Sequence, residues 1–119
     1  MYLEAVTVCV NYGDFLAWTI NQNLQHFGRD KWNRSNWVIV TDTKDAHTKR
    51  LCDYYRVRCI QTDVFYGNGD TFNKAAGINA GLEVLSKQDW ILHLDADIYL
   101  PPHVGDILRK YPLDYNCIY

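Results

Sequence analysis

The sequence predicts an α/β domain, a Rossmann-like and mostly parallel sheet flanked by helices. Short apolar runs rich in β-branched residues alternate with segments of helical periodicity, the pattern of a sheet covered on both faces. Several of these runs stop at polar residues, which places polar side chains along one edge of such a sheet. The 119 residues suit one domain spanning 1–119, without internal repeat or boundary.

The elements follow in order. Residues 5–10 (Ala-Val-Thr-Val-Cys-Val) form a buried first strand that breaks at Asn11-Tyr12-Gly13. Asp14 is placed to cap a helix over 15–27, with Phe15, Trp18, Leu24 and Phe27 as its apolar stripe and Gly28 closing it. The second strand, 37–40, stops at Thr41-Asp42, and a short charged helix covers 46–54. A third strand at 57–61 leads into the loop Tyr66-Gly67-Asn68-Gly69-Asp70. The next helix, 71–86, carries Phe72, Ala75, Ala76, Leu82 and Leu85 on its expected buried side. A fourth strand at 90–94 runs into Asp95-Ala96-Asp97 and the turn Leu100-Pro101-Pro102. A short helix at 103–111 follows, and 116–119 reads as the start of a further strand, so the domain reads as truncated.

Composition narrows the function. The chain is 48% hydrophobic and 22% charged, as globular proteins are, and its net charge of −2 gives no electrostatic case for nucleic acid or an anionic membrane as main partner. No apolar run reaches membrane-spanning length, and the N-terminus lacks the basic region of a signal peptide. The four cysteines form no C-x-x-C pair; Cys9 and Cys59 lie in apolar runs as small hydrophobes, and a reduced, cytoplasmic setting is expected.

Chemistry concentrates at Asp95 and Asp97. Two residues apart on an extended chain, they point the same way at a strand's carboxyl end. Paired carboxylates repel, and Mg²⁺ or Mn²⁺ relieves that repulsion while binding substrate phosphates. A solvated strand end is the plainer alternative. Tyr12 after the first strand and Asp42 after the second belong to the same predicted edge. His93 shares the face of the two aspartates, which allows a third metal ligand; a hydrogen-bonded core histidine in a central strand is the favoured reading. No G-x-x-x-x-G-K-[ST], G-x-S-x-G or Gly-rich dinucleotide turn is present.

The stretch Lys74-Ala75-Ala76-Gly77-Ile78-Asn79-Ala80-Gly81-Leu82, followed by Leu94-Asp95-Ala96-Asp97, resembles the corresponding block of family 2 glycosyltransferases with the GT-A fold. Asn11-Tyr12 and Thr41-Asp42 are also similar to that family. The resemblance implies a nucleoside-diphosphate sugar as donor and an acceptor that is a glycan, lipid or protein. It implies that Asp97 binds Mn²⁺ or Mg²⁺, with Asp95 contacting ribose or assisting the metal, and that Asp42 contacts the nucleoside. Tyr12 is a candidate to lie against the base, and Lys74 to reach phosphate or the donor sugar. Asn79, about 140° around the helix from Lys74, is expected to be a buried polar residue fixing the loop before the aspartates. Gly67, Gly69 and Asp70 are candidates for a loop that closes over the donor.

Family members continue into an acceptor-binding half that supplies a general base. Asp106 and Asp114 do not match its motif, so a catalytic base is expected to be missing, and a partner chain or homo-oligomer to complete the fold. Two other functions stay open: a non-catalytic nucleotide-binding or assembly module, and a phosphohydrolase of the haloacid dehalogenase type, which also uses Asp-x-Asp.

Overall fold

Four parallel strands, β1 (Leu3–Val8), β2 (Trp37–Asp42), β3 (Arg58–Thr62) and β4 (Trp90–His93), form one sheet in the order β3-β2-β1-β4. The computed structural model describes residues 1–69 and 71–119. The register pairs Ala5 with Trp37, Leu3 with Trp90 and Val38 with Arg58. Helices α1 (Gly13–Leu24), α2 (Ala46–Tyr55), α3 (Lys74–Val84) and α4 (Val104–Lys110) complete the domain. The predicted α/β class is therefore observed.

Strand alternation divides the core in two. Ala5, Trp37 and Ile39 face one way, packing with Leu16 and Ile20 of α1 and Cys52 of α2. Val6, Val8, Val38 and Val40 face the other way, under α3 and Phe65. The two inner strands, β1 and β2, are thus buried on both faces, which is why their sequences read as near-continuous apolar runs, whereas the edge strands β3 and β4 are only partly buried. Trp37 satisfies its buried indole by donating from Nε1 to the Thr7 hydroxyl at 2.9 Å. All four cysteines are free, and burial pushes the Cys9 thiol up to about 11, fitting a small core hydrophobe.

Several local expectations change. The buried face of α1 is Gly13, Leu16, Thr19, Ile20 and Asn23; of the predicted stripe, Leu24 and Phe27 pack in the core but Phe15 and Trp18 do not. Trp18 is 84% exposed, and Phe15, 52% exposed, stacks on Tyr12 with ring centroids 4.3 Å apart. Tyr12, not Asp14, occupies the N-cap position, and Asp14 sits in the first turn, where a carboxylate favours the helix dipole. The helix ends at Leu24 without a left-handed glycine, so Gly28 has no capping role. Residues 116–119 form no strand; Tyr115 and Tyr119 instead pack on Trp90 at 5.2 and 6.1 Å.

The buried side of α3 differs in part: Leu82 and Leu85 pack in the core as predicted. Gly77 and Gly81 lie against the sheet, while Phe72 and Ala75 are exposed. A Cβ on Gly81 would sit 2.5 Å from Val6 Cγ2 and 2.9 Å from Val40 Cγ2. One on Gly77 would meet the Phe65 ring. The two glycines let the helix backbone approach the valines directly, a packing that an apolar-stripe reading cannot see.

Gly81→Ala is expected to destabilise the domain. Overpacking costs about 1–3 kcal/mol, against at most about 1 kcal/mol gained from helix propensity. Urea unfolding will show a lower midpoint with an unchanged slope; a midpoint equal to or above that of the parent contradicts this packing.

Candidate functional site

The strand order reverses direction at β1: β2 and β3 lie on one side of it, β4 on the other. Open α/β sheets leave a crevice at such a switch point, outside the carboxyl ends of the strands. A cavity of about 270 Å³ occupies this place, lined by Val10, Tyr12, Phe72, Lys74, Asp95 and Asp97 among others. Tyr12, Lys74, Asp95 and Asp97, picked from three separate stretches of sequence, therefore meet.

Their contacts are specific. The Lys74 ammonium lies 2.9 Å from Asp95 Oδ1, an ion pair across the crevice. That hydrogen bond, opposed by partial burial, holds the Asp95 carboxyl below its usual range. The Tyr12 hydroxyl donates to Asp97 Oδ2 at 3.1 Å. Burial first, and then this bond with the nearby carboxylates, raises the Tyr12 phenol. Asp97 has no cationic partner among the described residues, in contrast to Asp95.

The loop bearing the two aspartates lies beyond β4, so it has no strand ladder to satisfy its backbone. Helix α1 supplies the missing partners. The Thr19 hydroxyl donates to the Ala96 carbonyl at 2.6 Å, and Asn23 Nδ2 donates to the Ile98 carbonyl at 2.7 Å. Asn23 Oδ1 in turn accepts from the Leu100 N–H at 2.8 Å. Ala96 is buried by these attachments while Asp95 and Asp97 stay exposed toward the crevice.

Tyr12 is fixed in a similar way. Asn11 takes a left-handed backbone conformation, with φ of 54°, and its N–H donates to Asp45 Oδ2 at 2.8 Å. Asp45 caps α2 and also accepts from Thr41 and twice from Thr48. Burial pushes the Asp45 carboxyl up, but those hydrogen bonds overrule it and hold the group below the usual carboxylate range.

Asp42 lies at the end of β2, where its Oδ1 accepts from the Lys44 N–H at 2.9 Å. It is not the cap of α2; Asp45 is. A second cavity of about 420 Å³ runs beside Asp42 and is lined by Asn11, Lys44, Asp63, Tyr66 and Gly67. Tyr66 of this cavity contacts Phe72 of the first, their ring centroids 5.7 Å apart, so the two cavities adjoin. Gly69 has φ of 76°, a conformation that favours glycine. Asp70, paired with the two glycines in the expected closing loop, lies outside the described residues.

Two predicted residues are placed otherwise. Asn79 is exposed on α3 and lines neither cavity, because Gly77 and Gly81 take the buried side; it does not fix the aspartate loop. His93 is not a core residue. Among the described strands β4 is an edge, leaving the His93 side chain 45% exposed with Nε2 3.7 Å from Asp95 Oδ1. Thr19 and Asn23, the residues that hold the loop, were not anticipated. Their spacing of four, interleaved with Leu16 and Ile20, was the available signal. Asp63, Tyr66 and Phe72 add carboxylate and aromatic lining that the loop sequence alone did not assign.

The family model described as glycosyl transferase family 2 matches residues 4–114, which include every residue of both cavities. No curated protein matches the chain significantly.

Asn23→Ala is expected to leave the part-buried Ile98 carbonyl and the buried Leu100 N–H without their side-chain partner, at a cost of about 2–3 kcal/mol. Chemical denaturation measures the loss. Amide exchange at Ile98 and Leu100 is expected to accelerate more than in the centre of β1; uniform exchange rates would contradict the pinning role.

Proposed function

The chain belongs to glycosyltransferase family 2, and on that premise we propose that the crevice between β1 and β4 binds a nucleoside-diphosphate sugar together with Mn²⁺ or Mg²⁺. The carrying observation is the asymmetric charge of the aspartate pair: Lys74 neutralises Asp95, whereas Asp97 faces the crevice with a phenol, and among the described residues no cation, as its side-chain partner.

The donor set suits a hard divalent cation. Among the described residues no group of three His, Cys, Asp or Glu gathers to hold a metal. A nucleotide-dependent site does not need three, because Mg²⁺ binds through one or two carboxylates plus substrate phosphates and waters. Asp97 is the principal ligand in this reading, and Asp95 assists it or contacts ribose. When bound, the cation would supply electrostatic stabilisation of the departing nucleoside diphosphate.

The chain's own residues do the rest. Lys74, at the first position of α3, offers its ammonium and the helix N-terminus to the diphosphate. The Tyr12 hydroxyl orients Asp97, so Tyr12 acts through the carboxylate while its ring rests on Phe15. Asp42 and Tyr66, in the adjoining cavity, take the nucleoside: the carboxylate accepts from ribose or base, and the aromatic ring covers it. Asn79 has no part. The donor sugar is then transferred to an acceptor hydroxyl carried by a glycan, lipid or protein. Among the described residues no helix is long and apolar enough to cross a membrane.

The haloacid dehalogenase alternative does not fit. Its Asp-x-Asp follows a first strand, whereas here the pair follows β4 at the sheet's switch point, and the family match points elsewhere.

A nucleoside diphosphate with Mn²⁺ is expected to raise the melting temperature, and neither component alone to do so fully. Asp97→Ala should abolish the shift; Lys74→Ala should weaken nucleotide affinity about tenfold, as loss of one charge-assisted contact does. No shift with UDP, GDP or their sugars at saturating metal would overturn the proposal.

A further inference from the structure

A cavity larger than either of these lies elsewhere. It has a volume of about 500 Å³ and opens at the amino ends of the strands, between Tyr2, Asn36, Arg58 and Ser86. Strand β1 has six residues, and at about 3.3 Å per residue this places the cavity roughly 20 Å from Asp97. Its size is that of a small-molecule site.

Its charge is opposite to that of the whole chain. Arg29, Lys31, Arg34 and Arg58 line it against two carboxylates, Glu4 and Asp30, a local net charge of +2 in a protein of −2. Both carboxylates are engaged. The buried Glu4 accepts from the Ser86 and Lys87 N–H groups at 2.8 and 2.7 Å. Asp30 accepts from the Trp32 and Arg34 N–H groups and pairs with Arg34 Nε at 2.8 Å. Arg29, Lys31 and Arg58 have no carboxylate partner among the described residues.

These cations are nonetheless held in place. Arg29 donates to the Asn33 and Arg56 carbonyls at 3.0 and 2.8 Å, and Arg58 donates to the Val84 carbonyl at 3.1 Å. Carbonyls orient a guanidinium without cancelling its charge, and each arginine has five N–H donors. Lys31 and Arg34 lie over the Trp32 ring at 4.4 and 4.7 Å. The segment carrying three of the four is itself closed by an antiparallel bridge between Arg29 and Ser35. Fixed, uncompensated cations in a cavity cost self-repulsion, which an anion relieves.

We propose that this cavity is a second ligand site, which takes a small soluble phosphomonoester dianion. It is independent of the donor crevice and does not rest on the reading given to that crevice. A phosphate group matches both the charge of the cavity and the forked donors of Arg29 and Arg58. The organic part of the ester extends into the remaining volume.

Isothermal titration of the full chain with inorganic phosphate and with a hexose 6-phosphate, in low salt without divalent cation, tests this. One site is expected, weakened fivefold or more by Arg58→Gln and by Lys31→Gln, and unchanged by Lys74→Ala. Lys31 is exposed, so its variant keeps the fold even where Arg58→Gln does not. The hexose phosphate is expected to bind more tightly than inorganic phosphate; equal or weaker binding would overturn a phosphomonoester as the ligand. Amide shifts should fall on residues 29–36. No binding at millimolar phosphate, binding that survives Lys31→Gln and Arg58→Gln, or binding lost in Lys74→Ala would each overturn the proposal.

Discussion

The site depends on the attachment of the loop after β4 to helix α1. The Leu94 N–H still donates to the Val6 carbonyl of β1, but beyond it the chain has left the sheet and its carbonyls and amides need partners elsewhere. Thr19 and Asn23 provide them at Ala96, Ile98 and Leu100. Because the anchored groups lie on the side of α1, the intervening carboxylates of Asp95 and Asp97 are turned toward the crevice. Two polar residues on the buried face of a helix are costly unless fully bonded. Here their bonding is what gives the exposed carboxylates a defined position.

Topology brings the remaining groups to that position. With β1 in the interior of the sheet and β4 beside it, the first turn of α1 and the end of β4 are neighbours. Tyr12 can then reach Asp97 although 85 residues separate them in sequence. On the opposite face, Gly77 and Gly81 draw α3 close to the valines of β1 and β2. That approach sets the start of the helix, and Lys74 with it, at the edge where Asp95 emerges. Each contact at the site is thus the outcome of a packing choice made on one face of the sheet or the other.

Much of this was legible in the sequence because it rests on local pattern. The parallel sheet follows from apolar runs alternating with helices, and the meeting of Tyr12, Lys74, Asp95 and Asp97 follows from their places at strand ends and a helix start. What was not legible depended on tertiary partners. Thr19 and Asn23 carry no such local signal of their partners, because only the fold shows the carbonyls and the amide they serve. Phe15 and Trp18 read as core because hydrophobicity does not reveal that one stacks on Tyr12 and the other faces solvent. Asn79, Phe72 and Ala75 were misplaced because glycines, which carry no hydrophobic signal, hold much of the buried side of α3, beside the correctly placed Leu82 and Leu85. The exposure of His93 follows from strand order, which periodicity does not determine.

Paramagnetic broadening of backbone amides by Mn²⁺, in the presence of a nucleoside diphosphate, tests the central claim most directly. Broadening is expected to centre on residues 95–98 and to extend to Tyr12 and Lys74, and to require the nucleotide. Broadening centred on another carboxylate, such as Asp14 beside His47, or none at the loop when nucleotide and metal are both saturating, would contradict it.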